Sequence, residues 1–298
     1  MEIGIAWWNT SLSPNANPGR ATVTDLEDAV RTLEAMAAAG ASLIGLCELA
    51  AADLAALVDK TSAEVSGFTW SAPGKPVSPW SKFDTCIGYD PAQLEMLRES
   101  DVLGSYGDSQ LRIGQLFSFS PVAGGSILHV IVSHWPSRQT LGARDPMRVI
   151  YGQTLRVTVN ALLEADDEAQ VVLMGDYNDE PFNDSVSVVL RASRDRDRSR
   201  SGTGVLFNPF WRHMASFEHD GHEACSDQGT YYYKSGVVTR WHTFDQMIFS
   251  SSLVSGSRGW RLDEDRTRAF SPKWLDALLL DRKRIFDHRP IFGRLTRV

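Results

Sequence analysis

Short apolar runs of strand length alternate along this 298-residue chain with segments of helical period, and that alternation limits the fold more than any other feature. Residues 3–8 form the first run. A helix is predicted next: Thr24 and Glu27 have capping-box spacing, Leu26, Val30, Leu33 and Met36 recur on a helical period, and Gly40 is a natural stop. Residues 42–47 then read as a buried strand. Further helices are predicted around 51–60 and over 145–166, the second with Val149, Leu155, Val159 and Leu162 toward a core. Strands are predicted around 84–89, 111–118, 126–133, 171–174, 241–250 and 291–295. Residues 71–79 read as a loop, as do 191–201, where basic and acidic side chains alternate. The expectation is α/β, with many mixed strands and several helices in one domain over 1–298.

Composition removes several classes. Hydrophobic residues at 43% and charged residues at 22% allow a core and exclude disorder. A formal charge of -7 argues against gripping long duplex DNA through an overall basic field. Cys47, Cys86 and Cys225 are too few and too far apart for a disulfide framework or a thiolate metal cluster. The start lacks a leader pattern and no apolar run reaches about 18 residues, so a cytoplasmic protein with no membrane partner is expected.

Polar residues stand at the ends of the apolar runs: Asn9, Glu48, His134, and Asp176 with Asn178 after them, Asp287 with His288 before Ile291. Singly, each is as often a turn residue. Converging at one sheet edge, they would supply hard oxygen ligands, imidazoles and amide donors, which suit Mg²⁺ or Mn²⁺ and phosphate. Zinc fits less well, because no His-Glu-x-x-His helix is present and His213, His219 and His222 form only a loose set. The glycine-rich nucleotide loops and the Gly-x-Ser-x-Gly elbow are missing.

Several segments together carry a family resemblance: Trp8-Asn9, the strand ending at Glu48, His134-Trp135-Pro136-Ser137-Arg138, Gly175-Asp176-Tyr177-Asn178-Asp179-Glu180-Pro181, Phe244-Asp245-Gln246-Met247-Ile248 and Asp287-His288-Arg289-Pro290. In this order, and over nearly the whole chain, they resemble the motifs of the endonuclease/exonuclease/phosphatase superfamily, which includes deoxyribonuclease I-like enzymes and inositol-polyphosphate phosphatases. His134 to Arg138, Asp179 to Pro181 and Gly229 to Lys234 look most like a bacterial branch that specifies no substrate. The resemblance implies a four-layer α/β sandwich with two central mixed β-sheets. It implies Glu48 as a metal ligand with Asn9 beside it and Asp287 contributing to the metal region. It also implies Asp176 orienting or deprotonating the attacking water, Asn178 donating to the phosphate, His288 contacting the scissile phosphate, Asp245 holding that imidazole and His134 as a second phosphate-facing group. The expected activity is divalent-metal-dependent hydrolysis of phosphodiesters, with DNA or another nucleic acid as the leading substrate class.

Substrate hints are weaker. Arg138, Arg144 and Arg148, with Lys75 and Lys82 in an earlier loop, are candidate phosphate contacts. Arg191, Arg194, Arg196, Arg198 and Arg200 could touch a nucleic-acid backbone, although alternating signs screen one another. Trp70, Trp80, Trp135, Tyr231, Tyr232 and Trp241 are candidate stacking platforms, Trp135 and Tyr231 foremost. No apolar hairpin of the kind that would dock on a membrane is evident. Two alternatives stand beside the nuclease reading: a phosphatase of a small phosphoester such as an inositol phosphate, and a non-catalytic interaction protein on the same fold.

Overall fold

The computed structural model describes the chain except residues 15–16, 79–80, 203 and 216–227, and at 63–64 it describes the backbone alone. Trp80, His219, His222 and Cys225 therefore lie outside the described residues. Among the described residues, nine strands are four residues or longer: β1 (Glu2–Asn9), β2 (Ala41–Cys47), β3 (Cys86–Tyr89), β4 (Leu94–Tyr106), β5 (Ser109–Pro121), β6 (Leu128–His134), β7 (Gln170–Asp176), β8 (Asp245–Phe249) and β9 (Ile291–Arg297). The longer helices are α1 (Val23–Ala38), α2 (Ala51–Lys60), α3 (Met147–Ala165) and α4 (Lys273–Leu280).

The strands form two mixed sheets with the same local plan. In the first, β1 and β2 run parallel around the α1 crossover, flanked by antiparallel β9 and β3. In the second, β6 and β7 run parallel around α3, flanked by antiparallel β5 and β8, with β4 outside β5. Because side chains alternate along a strand, both faces of each sheet are apolar where both are covered. Ile3, Ile5 and Trp7 of β1 meet Val130 and Val132 of β6 and Val172 and Met174 of β7 in the core between the sheets. Ala6, Trp8, Ile44 and Leu46 point the other way, under α1, α2 and α4, while Ile131, Val171 and Leu173 point under α3. Helix, sheet, sheet, helix is the four-layer sandwich expected. Among the described residues no helix is long and apolar enough to cross a membrane.

Several expectations move. The first helix is capped by Thr22, not Thr24: Thr22 Oγ1 accepts from Asp25 N at 3.2 Å while Asp25 Oδ2 accepts from Thr22 N at 3.0 Å. The predicted 241–250 strand is two strands in different sheets, broken at Thr243 and Phe244. Residues 191–201 are not a free loop. They include a two-residue strand at Ala192–Ser193 and a short helix at Arg196–Arg200, with Arg194 over the Trp211 ring and Arg196 paired to Glu264. Val149 faces out at 40% exposure. β4 was not foreseen because it is a largely exposed edge strand whose charged residues hide any apolar alternation.

The two sheets approach closely at Gly45. A Cβ there would lie 2.7 Å from Met174 Cε and 2.9 Å from Trp7 Cε3. Gly45→Val should therefore overpack the seam and cost about 1–3 kcal/mol, read as a lower urea midpoint; an unchanged midpoint would mean that Met174 and Trp7 simply yield.

Candidate active site

Register collects the polar residues at one edge. The parallel pairs place Asn9 beside Cys47, which precedes Glu48, and Asp176 beside His134. Antiparallel neighbours then bring their starts to the same edge: Asp245 pairs with Asp176, and continuing the register that joins Leu46 to Cys86 puts Asp84 opposite Glu48. The same logic brings His288, three residues before β9, to the end of β1, where Trp8 Nε1 donates to its carbonyl at 3.2 Å. Glu48 and Asn178 turn the chain in the left-handed region, at φ 54° and 51°. Asn tolerates that region; Glu pays for it, and backbone held so is found where a side chain must be aimed.

Two imidazole–carboxylate pairs cross the seam between the sheets in opposite directions. His288, beside the first sheet, donates from Nδ1 to Asp245 Oδ2 of the second at 2.7 Å. His134, of the second sheet, donates from Nδ1 to Asp84 Oδ2, beside the first, at 2.9 Å. Burial disfavours a charged imidazole, but Asp245 and Asp176 override it at His288 and raise its pKa to about 10. At His134 burial is likewise overridden, by Asp84 first, and the value rises to about 9. Burial would raise Asp84, yet His134 and Arg112 hold it down at about 2. Burial raises the Asp245 carboxyl, His288 pulls it back and Asp176 raises it again; the proton of this pair resides on the imidazole. Trp7 Nε1 donates to the second Asp245 oxygen at 2.9 Å, so both of its oxygens are engaged.

The two Nε2 atoms both face Asp176 Oδ2, and that of His134 also lies 3.7 Å from Glu48 Oε1. Asp176 Oδ2 lies 3.7 Å from His288 Nε2 and 3.9 Å from His134 Nε2, too far for direct hydrogen bonds. Asn9 Nδ2 reaches the same oxygen at 3.1 Å, and Asp176 Oδ1 accepts from Asn178 N at 2.9 Å. Asn178 Nδ2 donates to the Trp135 carbonyl at 3.0 Å, which leaves its second hydrogen for another acceptor. Glu48 and Asp287 form the more open side, at 19% and 29% side-chain exposure. Burial raises the Glu48 carboxyl, and the Asp287 charge adds to this against the pull of His134. Ser11 Oγ donates to Asp287 Oδ1 at 2.6 Å.

Two groupings could receive a cation. Asp176, Asp245 and His288 offer ligand atoms within 4.8 Å of one another. Each Asp245 oxygen already accepts a hydrogen bond, from Trp7 or from His288, however, and His288 has no lone pair to give while it is protonated. Glu48 with Asp287 is the better fit: hard oxygens whose mutual repulsion a divalent cation would relieve.

The remaining candidates divide. Arg138 and Tyr231 line a cleft that reaches Asn178. Arg144 is exposed beside a separate groove with Asp179 and Phe182. Arg148 and Trp135 are corrections. Arg148 is 3% exposed and donates to the carbonyls of Pro136, Leu141 and Gly142, so it braces the loop instead of facing substrate. Trp135 is 1% exposed, with Nε1 on the Ile113 carbonyl and its ring edge-on to Tyr177. Trp241 lies beneath Arg289 at 3.9 Å, Trp70 packs on Phe68, Tyr232 is buried, and Lys75 pairs with Asp101. His213 is a core histidine that accepts from Ala269 N. Val237 and Val238 do stand fully exposed in the loop between Tyr231–Tyr232 and Trp241–His242, which corrects the expectation of no exposed apolar hairpin.

Sequence reasoning missed Asp84, Trp7 and the Glu180–His242 pair, in which Glu180 Oε1 accepts from His242 Nδ1 at 2.8 Å. The signal for Asp84 is its place just before an antiparallel strand, the same position that Asp287 and His288 hold before β9.

His288 carries a measurable consequence. Its folded value of about 10 stands above the ordinary 6.5, so the ion pair contributes stability that is whole below about pH 6.5 and is lost as pH rises through about 10. In the metal-free protein, imidazole NMR should show His288 protonated at pH 8, and Asp245→Asn should bring its titration down toward the ordinary range. A neutral His288 at pH 8 in the unsubstituted protein would contradict the pairing.

The model of a family described as the Endonuclease/Exonuclease/phosphatase family matches residues 20–284. No curated protein gives a significant match. Among solved structures, the human Nocturnin catalytic domain with bound sulfate anion is 14% identical, with a TM-score of 0.63 over 100% of this chain and 95% of that one. An endonuclease/exonuclease/phosphatase family protein from Bacteroides thetaiotaomicron is 13% identical, with a TM-score of 0.64 over 99% and 95%. D. rerio TDP2 complexed with single strand DNA product is 18% identical, with a TM-score of 0.58 over 99% of each chain. At these identities the likeness to solved structures establishes the fold alone. The family match over most of the length carries further: the chain belongs to the endonuclease/exonuclease/phosphatase family.

Proposed function

We propose that this protein is a divalent-metal-dependent hydrolase of phosphodiester bonds, with nucleic acid as its substrate class. The observation that carries the reading is geometric: two imidazoles, each paired through Nδ1 with a buried carboxylate, turn their Nε2 atoms toward Asp176 Oδ2 across gaps of 3.7 and 3.9 Å. Donors too far from a carboxylate oxygen to bond it have N–H groups to offer a third partner from the side, and two imidazolium N–H donors suit the non-bridging oxygens of a phosphate.

Roles follow from the protonation states. His288 and His134 are kept charged by Asp245 and Asp84, so they serve as fixed donors to phosphate oxygens and not as bases. Asp176 has one oxygen oriented by Asn178 N and the other by Asn9, which fixes the lone pairs that would hold and deprotonate an attacking water. The spare Asn178 hydrogen adds a neutral donor to the phosphate. Glu48, with Asp287 and Asn9 at hand, would hold Mg²⁺ or Mn²⁺, which when bound supplies Lewis acidity to the phosphate and the leaving oxygen. Asp84 and Asp245 act through the imidazoles and are positioning residues. The single-stranded DNA product in the TDP2 structure supports a nucleic-acid substrate by analogy of fold.

The test is metal-dependent turnover of duplex DNA, single-stranded DNA, RNA and an inositol phosphate in parallel. Cleavage of a polynucleotide, abolished by EDTA, is expected. Asp176→Asn should lower kcat by about 10²–10⁴-fold with an unchanged circular dichroism spectrum. Orthophosphate release from the inositol phosphate with every polynucleotide intact would make the protein a phosphatase, and full activity of Asp176→Asn would remove Asp176 from the chemistry.

A further inference from the structure

A cleft of about 260 Å³ opens beside the centre. Ser137, Arg138 and Gln139 of one loop line it together with the rings of Tyr231, Tyr233, His242 and Phe244 and with Asn178. The rings are close to parallel: 17° between Tyr231 and Phe244, 19° between His242 and Phe244, 21° between Tyr231 and Tyr233. Tyr231 also lies against the His288 ring at 4.6 Å, so the array leads outward from the imidazole to Tyr233, which is 39% exposed.

These groups are held, not merely present. Arg138 covers Phe244 at 4.5 Å while its Nε donates to the Asn178 carbonyl and its Nη2 to Asn183 Oδ1, both at 2.9 Å. His242 is fixed by Glu180, whose other oxygen accepts from Thr243 N at 2.9 Å. Preset planar faces cost little ordering on binding. An aromatic cluster left partly open to solvent, beside donors for a phosphate, is a platform for another π system. The volume lies below the ~300–1,000 Å³ of pockets that bury a drug-sized ligand, which suits one ring system and not a base pair.

We propose that this slot receives one unpaired nucleobase, carried by the nucleotide joined to the scissile phosphate, so that the enzyme acts on single-stranded or frayed nucleic acid. The proposal rests on the phosphodiesterase reading for its substrate class. Stacking ignores base identity, so the slot selects an unpaired base without selecting a sequence. An inositol ring offers no π face to these walls.

The test has two arms. In the first, calorimetry compares thymidine 5′-monophosphate with 2-deoxyribose 5-phosphate. The nucleotide should bind the unsubstituted protein about tenfold more tightly or better, and the preference should collapse toward one in the Tyr233→Ala/His242→Ala protein, whose thermal melt reports that it is folded. Equal affinity for the two phosphates, no binding of the nucleotide at millimolar concentration, or a preference that survives the double substitution would each overturn the slot. In the second arm, hydrolysis of a thymidine dinucleotide is compared with that of its baseless analogue. A base preference in binding with neither diester hydrolysed would uphold the slot and defeat the phosphodiesterase reading; hydrolysis of both at equal kcat/KM would do the reverse.

Discussion

The indole N–H of Trp7 crosses the seam between the two sheets to one oxygen of Asp245, and the rest of the centre hangs on that contact. Trp7 belongs to the first sheet and packs in the shared core; Asp245 begins β8 of the second. The other Asp245 oxygen returns across the seam to His288. A buried carboxylate stripped of such a donor loses a charge-assisted bond worth about 1.5–3 kcal/mol. The hydrogen bond therefore couples sheet packing to imidazole orientation. Asp84 and His134 make the reciprocal crossing. Each sheet thus supplies one imidazole and one carboxylate, and neither sheet alone has the centre.

Charge crowding follows from this construction. Glu48, Asp84, Asp176, Asp245 and Asp287 are gathered around two imidazoles, which explains why both rings are held protonated and why burial leaves the Glu48 carboxyl raised. Such a set is poised for ligands of both signs: a divalent cation at the open, acidic side and a phosphate where the N–H donors converge. The net charge of -7 is compatible with the proposed function, in which recognition would fall to local donors and to aromatic faces instead of a basic field.

Much of this was legible in the sequence, for a physical reason. Strands buried on both faces print as unbroken apolar runs, so the ends of β1, β2, β6 and β7 were visible, and Asn9, Glu48, His134 and Asp176 with them. Of the residues at the starts of antiparallel neighbours, Asp287 and His288 were visible beside the apolar run at Ile291, Asp245 was visible only through the family resemblance, and Asp84 was lost because no motif pointed to it. Arg148 and Trp135 were misplaced for the opposite reason. A guanidinium that caps carbonyls and an indole that packs under α3 look, in a string of letters, like groups waiting for substrate. The cleft was half visible: Tyr231 and Arg138 were named, but the near-parallel stacking with His242, Phe244 and Tyr233 depends on a break between two sheets that periodicity did not reveal.

In the proposed mechanism, cation and phosphate occupy different sides of one seam-spanning centre. Diffraction at the manganese edge from crystals soaked with Mn²⁺ and a non-hydrolysable phosphorothioate dinucleotide tests it most directly. Anomalous density is expected against Glu48, with the phosphorothioate against His134, Asn178 and His288 and both imidazole–carboxylate pairs intact. Manganese bound instead among Asp176, Asp245 and His288, with the His288–Asp245 hydrogen bond broken, would contradict it.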